Sequence, residues 1–445
     1  MFMRKSAEDN RDILRTLIAL SIPTLLEEVL RTLLQYVDTA MVGRLGEQAT
    51  AAVSVTTTIT WLVNSISFAA SVAVLALISR AVGSGNEKLV QKIAQQALLL
   101  TVVFGIVTGG ISIILSPYIP VWMGAEEAVR KPASVYFTIV SIPMLFRSAT
   151  IILGASIRGT KDTKTPMLIN AGSNLLNAVL NYFLIYTAGL GVAGAAIASA
   201  ISYTLAGALM FAAYRRNRQL RWEWNSFRAE KNLLKGCAGI GVPVLGTNMA
   251  SCLGYVVFAG LVSGMGTTVF AAHSIAVTAE TLFYIPGYGL RTATSTLVGI
   301  SLGENNKRKL RTVSKLSILL TVGMMCISGV ILYLVSYPLM RLFTPVPVVA
   351  ELGAGMLKLV AFSEPFFGLM VVLEGIYYGM GRTRYAFLVE TGSMWGIRIL
   401  FTFFCVTVWK LDLRAVWYCM IADNVCKALL LTLPARKYVF GENNS

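Results

Sequence analysis

The sequence predicts an all-α integral membrane protein with twelve transmembrane helices, arranged as two six-helix bundles related by a pseudo-two-fold axis along the membrane normal. Of the 445 residues, 56% are hydrophobic and 13% are charged, and the mean hydropathy is +0.68. Soluble domains carry roughly 25% charged residues. Apolar runs long enough to cross a bilayer as helices recur along the chain, and its two halves repeat each other.

Each apolar run predicts one span, with boundaries near the polar residues that flank it. The twelve expected spans cover about residues 16–42, 50–79, 93–116, 133–157, 166–187, 191–214, 237–263, 269–301, 315–336, 354–380, 385–408 and 414–434.

The repeat has a constant offset of 220 positions, shown by Pro23 and Pro243, Gly159 and Gly379, and many similar pairs. Each half has an even number of spans, so both halves enter the membrane from the same side. Parallel repeats of this kind build two bundles with a substrate path at their interface. We expect an N-terminal bundle over 1–214, a cytoplasmic linker over 215–236 and a C-terminal bundle over 237–445.

The net charge of +16 is concentrated in alternate connections between spans. The positive-inside rule therefore predicts that both termini are cytoplasmic, in a multi-pass protein of the plasma (inner) membrane. This distribution explains the basicity without nucleic acid, which is not an expected partner. Attraction to anionic lipid is a secondary consequence.

Polar residues inside the spans are the candidates for function, because charges at mid-bilayer depth are costly. Asp38 lies well inside span one with no basic residue three or four positions away, and its repeat counterpart is Phe258. We interpret it as a carboxylate that binds H⁺ or Na⁺; the alternative is a protonated Asp bonded to a neighbouring helix. In span five, Asn177 and Asn181 share one helical face and carry oxygens suited to a small cation. They could equally join helices.

The second half also carries intramembrane charge. Glu280 and Glu374 are acidic candidates for binding a cation, and Tyr36 and Tyr284 are candidates for cation–π contacts. Arg291 and Arg398 could instead neutralise acidic groups in a structural network. The four-residue spacing predicts intrahelical ion pairs for Asp423 with Lys427 and for Glu27 with Arg31. Glu28 is left without such a partner.

Nucleotide-binding loops, catalytic triads and metal-ligand spacings are absent from the sequence. We therefore expect no enzyme activity, no cofactor and no metal. Transport would then be driven by an ion gradient.

Several segments resemble the multidrug and toxic compound extrusion (MATE) family. They are "LIALSIPTLLEEVLRTLLQYVDTAMVGRLGEQATAAVS", "RGTKDTKTP" and "GLGVAGAAIASAIS" in the first half, with "AAHSIAVTAETLFYIPGYGL" and "SEPFFGLMVVLEGIYYGMGRTR" in the second. The resemblance covers almost the whole chain. It implies a twelve-helix antiporter that exports organic cations and amphiphilic drugs by alternating access, in exchange for H⁺ or Na⁺.

The resemblance also implies roles for individual residues. Asp38 matches the acidic residue on which coupling depends, and Pro23 matches a proline that bends the first span. Asn177, Asn181 and Ser199 match a first-half cation site that contains Asn, Asp and Thr in some members. The change from Asp to Asn at position 181 removes a charge and weakens the case for Na⁺. Ser251 replaces a Glu that some branches carry in span seven, which suggests the DinF-like branch.

We therefore expect a monomer that exports small organic cations or drugs through the lipid bilayer. One alternative is a flippase for lipid-linked precursors from the same superfamily, which would show more cationic residues in its cavity. Another is a membrane sensor or channel, which the duplicated halves disfavour.

Overall fold

The computed structural model of the chain describes residues 2–223 and 227–439, and in this part every regular element is helical. The helices are α1 (Phe2–Gly43), α2 (Glu47–Gly83), α3 (Glu87–Leu115), α4 (Ile119–Trp122), α5 (Glu127–Ser141), α6 (Met144–Gly159), α7 (Lys164–Asn181), α8 (Gly191–Arg216), α9 (Lys231–Ser263), α10 (Thr267–Glu280), α11 (Ile285–Gly303), α12 (Lys307–Phe343), α13 (Pro347–Ala361), α14 (Glu364–Met380), α15 (Thr383–Ser393), α16 (Leu400–Phe403) and α17 (Leu413–Val439). Short π-helical segments, Tyr182–Thr187, Met394–Ile399 and Phe404–Val408, and the 3₁₀ turn Thr281–Tyr284 continue these helices.

Most of these helices are long and apolar enough to cross a membrane. Within the described residues, nine helices meet this condition when α10–α11 (Thr267–Gly303) and α15–α16 with its π-helical segments (Thr383–Val408) each count as one. The bent pairs α5–α6 and α13–α14 supply two more spans. The remaining long helix is α1, whose 42 residues include Glu27, Glu28, Arg31 and Asp38. With α1 as the first, the spans number twelve.

The sequence repeat is visible in the geometry of matched elements. Gly46 and Gly266 precede α2 and α10 with φ of 106° and 111°, a conformation that favours glycine. Asn86 and Asn306 cap α3 and α12, each accepting a hydrogen bond from the backbone N–H three residues later. The bends of 51° in α5–α6 and 58° in α13–α14 also lie at equivalent positions.

Small residues let the helices approach closely, which is how helices associate in lipid. A Cβ atom on Gly375 of α14 would lie 2.7 Å from the carbonyl oxygen of Arg291 in α11. On Gly159, at the end of α6, it would lie 2.9 Å from Cγ2 of Ile78 in α2. These glycines therefore fix the distance between the helices they join.

The chain divides into two compact units. Unit A consists of residues 1–25 and 246–445, and unit B of residues 26–245. Buried side chains around Val74, Ile152 and Met210 form the core of unit B. Two clusters, around Met325 and around Leu357, form the core of unit A.

The division between the units lies inside two helices. It falls at Leu25/Leu26 in α1 and at Leu245/Gly246 in α9, two residues after Pro23 and Pro243 respectively. These two places are themselves related by the repeat. The domain limits expected from the sequence, with a linker over 215–236, differ from this division and stay a prediction.

Candidate functional site

In unit B, Asp38 of α1 contacts a polar cluster on α7 and α8. Asn181 donates a hydrogen bond from Nδ2 to Oδ1 of Asp38, and the same Nδ2 lies 3.3 Å from Oδ1 of Asn177. Asn177 in turn donates to Oγ of Ser199 over 3.2 Å. The four residues singled out as an ion-coupling set therefore form one connected network, the Asp38 cluster.

The helix geometry explains why these residues meet. Asn177 and Asn181 lie one turn apart and project from one face of α7. Asn181 is fully buried and Ser199 is 6% exposed, whereas Asp38 is half-buried. The Oδ1 atom of Asn181 is buried and accepts no hydrogen bond from any residue that the structure describes. The cluster thus retains an unused oxygen beside a carboxylate.

The Asp38 cluster holds a carboxylate without a cationic partner. Among the described side chains, no Lys or Arg forms an ion pair with Asp38. The Arg147 guanidinium instead stacks on the ring of Tyr203, 4.4 Å from its centroid. Within the described part of the chain, an ionised Asp38 is therefore stabilised directly by one amide, so it can bind a proton or a small cation.

A second carboxylate of α1 has a different environment. The Glu27 carboxylate accepts two hydrogen bonds from Nη2 of Arg158, at 2.7 and 2.9 Å, and one from Nδ2 of Asn170, at 2.5 Å. The side chains of Glu27 and Arg158 are only 13% and 14% exposed. We call Glu27, Arg158 and Asn170 the Glu27 clasp.

The clasp corrects the expected pairing of Glu27 with Arg31. Arg31 instead pairs with Glu28, three residues before it, on an exposed face of α1. Spacing along one helix suggested the wrong partner because it contains no information about a cation on another helix, here Arg158 of α6. Sequence reasoning also missed Arg147, although a charge within the predicted span 133–157 was the signal that could have found it.

In unit A, most of the buried charges are paired. Arg291 donates from Nη1 to Oε2 of Glu374 over 2.9 Å. Asp423 lies between Arg398, at 2.8 Å, and Lys427, at 2.9 Å. The expected pair of Asp423 and Lys427 is therefore present, and Arg398 extends it to a second helix. These contacts agree with the interpretation of the arginines as parts of a structural network.

The proposed substrate contacts have varied surroundings. Glu280 is 1% exposed and Glu374 is 6% exposed, and Glu374 already neutralises Arg291. Tyr284 is half-buried and stacks on Phe367 at 4.0 Å between ring centroids. Tyr36, on α1 in unit B, is also half-buried.

The repeat counterpart of Asp38 is an apolar, packed side chain. Phe258 of α9 is 4% exposed and packs edge-on against His273, which also contacts Trp417. The two units therefore share a scaffold and differ at this place. Among the described residues, no group of three His, Cys, Asp or Glu side chains could hold a metal ion.

A bundle of apolar helices with charged and amide side chains held in its interior defines a polytopic membrane transport protein. Comparison with known proteins gives the family. The MatE family model matches residues 23–183 and 243–404, in both halves, so the chain belongs to the MATE family. Members of this family are transporters and not enzymes.

Individual relatives of the chain agree with this family assignment. The chain is 28% identical over 437 residues to the probable multidrug resistance protein NorM of Thermotoga maritima, covering 96% of this chain and 93% of that relative. It is 25% identical to the multidrug resistance protein PmpM of Pseudomonas aeruginosa, over 86% and 82% of the two chains.

Solved structures share the fold. A MOP superfamily transporter from Pyrococcus furiosus superimposes with a TM-score of 0.91 over 96% of both chains, at 20% identity. The MATE transporter VcmN of Vibrio cholerae gives a TM-score of 0.91 at 18% identity, over 98% of this chain and 99% of that one. The predicted fold class of twelve helices in two six-helix bundles is confirmed. The DinF-like branch stays a prediction.

Proposed function

We propose that this transporter exports organic cations and amphiphilic drugs in exchange for H⁺ or Na⁺. Relatives along nearly the whole chain carry the name of multidrug resistance proteins, which supports this class of substrate. The ion coupling is supported by the Asp38 cluster, in which a carboxylate on a membrane-spanning helix accepts a hydrogen bond from Asn181 and forms no ion pair with any described side chain. Intramembrane carboxylates of this kind are typical ion and proton carriers.

Both candidate ions suit the cluster chemically. A proton would neutralise Asp38 directly and abolish the cost of a charge in a low-dielectric interior. A sodium ion would take oxygen ligands, for which the Asp38 carboxylate, the unused Oδ1 of Asn181 and the Ser199 hydroxyl are available. Asn at position 181 supplies no second charge, and this favours the proton.

Export requires that ion and substrate favour different states of the protein or compete for one region. In our proposal, the ion neutralises Asp38, α1 repacks with Pro23 as its hinge, and the organic cation is released outward. The ion then leaves to the cytoplasm and a new substrate binds. Tyr36, Glu280, Tyr284 and Glu374 stay candidates for contacting the cation, the tyrosines through their ring faces.

The proposed setting is the plasma (inner) membrane, with both termini cytoplasmic and the protein acting as a monomer. The alternation of basic and nearly uncharged connections supports this orientation. The lipid would act as solvent for the outer helix faces.

Efflux from proteoliposomes tests the proposal. A fluorescent organic cation is loaded, a pH gradient and a Na⁺ gradient are imposed separately, and wild type is compared with Asp38→Asn. We expect efflux with one of the two gradients, and loss of gradient-driven efflux in D38N. Glu28→Gln serves as the matched control, because Glu28 lies on the same helix in an exposed ion pair.

Two results would contradict the proposal. Wild-type efflux rates in D38N would remove Asp38 from the coupling. Absence of efflux with either gradient, together with ion-independent translocation of a labelled lipid-linked precursor, would favour the flippase.

A further inference from the structure

Helices α1 and α7 are joined by polar contacts at a constant register. Glu27 bonds to Asn170 and Asp38 bonds to Asn181, and the two residues of each pair are 143 positions apart. Farther along, Tyr186 donates from its hydroxyl to the carbonyl oxygen of Met41 over 2.8 Å. The contacts advance in the same direction on both chain segments, so α1 and α7 run parallel here.

The first two contacts are matched in type and position. Each joins a carboxylate on α1 to an Asn side chain on α7, and eleven residues separate them on both helices. Eleven residues make about three turns, or about 16 Å of helix, so both carboxylates project from one face of α1. We call them the Glu27 rung and the Asp38 rung.

The rungs differ in charge compensation. Arg158 makes two hydrogen bonds to the Glu27 carboxylate and balances its charge, whereas Asp38 is bonded only to the Asn181 amide among the side chains that the structure describes. Breaking a buried ion pair leaves an uncompensated charge in the interior. Neutralising a carboxylate that is bonded only to an amide weakens one hydrogen bond and leaves no unpaired charge. The Asp38 rung therefore opens far more easily than the Glu27 rung.

We propose that the Glu27 clasp is a permanent anchor that sets the register of α1 against α7, so that Asp38 meets Asn181 when its rung closes. Glu27, Arg158 and Asn170 are positioning residues in this arrangement. Protonation or ion binding at Asp38 would loosen the C-terminal part of α1 while the clasp holds the segment about three turns below. The functional part of this inference rests on the proposed role of Asp38.

The test combines a structural and a functional readout. Spin labels are attached at Leu33 on α1 and Leu175 on α7, both exposed and midway between the rungs, in a background with the six native cysteines replaced. Glu27→Gln and Arg158→Met each should broaden the distance distribution between the labels. They should also lower gradient-driven efflux on the order of tenfold and shift its pH profile, since small misplacements of a reacting group reduce rates strongly.

A charge exchange separates positioning from a general loss of stability. The double variant Glu27→Arg with Arg158→Glu restores an ion pair, and Asn170 can accept a bond from the new arginine through its carbonyl oxygen. We expect it to recover the narrow distance distribution and much of the efflux. Glu28→Gln, which breaks the exposed pair with Arg31, should leave both readouts unchanged.

Each outcome either supports or overturns the proposal that the Glu27 clasp is an anchor. An unchanged label distance in both single variants, or no recovery in the exchanged variant, overturns the anchor. If the single variants do not fold, the exchanged variant alone decides, and a folded protein with the wild-type distance supports the anchor. If the label distances respond as expected but D38N retains full gradient-driven efflux, the anchor stands and the proposed role of Asp38 falls.

Discussion

At the scale of single residues, the environment of a carboxylate decides what it can do. Glu27 and Asp38 lie on one helix, face one neighbouring helix and contact the same type of side chain. Two hydrogen bonds from Nη2 of Arg158 balance the charge of the first carboxylate, whereas among the described side chains only the amide of Asn181 bonds to the second. Sequence spacing shows that Asp38 has no basic residue one turn away, and its role in coupling stays a prediction. The same spacing suggested the wrong partner for Glu27, because Arg158 is 131 positions away.

A prediction at this scale concerns Asn181. Asn181→Asp places two carboxylates in contact, and like charges at this distance in a buried site hold a proton or a cation between them. We expect Na⁺ to drive efflux better in N181D than in wild type, measured as the rate ratio with imposed Na⁺ and pH gradients. The double variant Asp38→Asn with Asn181→Asp, which moves the carboxylate across the hydrogen bond, should retain more coupling than D38N. A rate ratio in N181D equal to that of wild type would show that the cluster does not select the ion.

At the scale of elements, helix contacts depend on small residues and on shared charges. Gly375 brings α14 against the backbone of α11, and Asp423 of α17 accepts from Lys427 of its own helix while pairing with Arg398. The expected spans and their order could be read from hydropathy, because burial in lipid requires long apolar runs. The angles of the bends between α5 and α6 and between α13 and α14 could not, since Pro143 and Pro365 mark possible kinks without fixing their size.

Two glycines allow a matched test of helix packing. Gly375→Ala places a methyl group 2.7 Å from a backbone oxygen that cannot move away easily. Gly355→Ala, on α13, meets nothing within 4 Å, so alanine should instead favour the helix by up to about 1 kcal/mol. We expect a lower melting temperature in detergent for G375A and an equal or higher one for G355A. The reverse order would contradict the close approach of α11 and α14.

The buried charges of unit A give a second prediction for elements. Asp423→Asn leaves Arg398 and Lys427 without their shared carboxylate, which costs about 3–5 kcal/mol for a buried pair. Lys427→Met keeps the Arg398–Asp423 pair and should cost much less. Thermal unfolding of the two variants should therefore show a larger loss for D423N. Equal losses would mean that Arg398 does not share the charge.

At the scale of the whole molecule, the repeat sets the architecture and its exceptions mark the function. Caps, positive-φ glycines and helix bends recur at an offset of 220 positions, and the units meet along the chain at equivalent places, just after Pro23 and Pro243. Asp38, however, is matched by the packed Phe258. The duplication therefore supplies two similar scaffolds, of which only unit B carries the Asp38 cluster.

The two prolines test whether the units are also unequal in motion. Pro23→Ala restores a backbone donor to α1 and should straighten and stiffen the proposed hinge, lowering efflux several-fold at unchanged expression. Pro243→Ala makes the same change in α9, where no ion-coupling residue follows, and should have the smaller effect. Initial efflux rates of the two variants, compared with wild type at a saturating gradient, would measure the two effects. Equal losses of efflux in the two variants would show that both prolines contribute alike and that α1 has no special role as the hinge.

The sequence by itself determined the membrane class, the order of the spans, the duplication and the candidate Asp38, because these depend on composition, periodicity and position along one helix. Only the tertiary structure decided which side chains meet: Asn181 with Asp38, Arg158 and Asn170 with Glu27, Arg398 with Asp423. The physical reason is that hydrophobicity specifies which segments are buried in lipid, whereas pairing between helices is set by packing geometry among residues far apart in the chain.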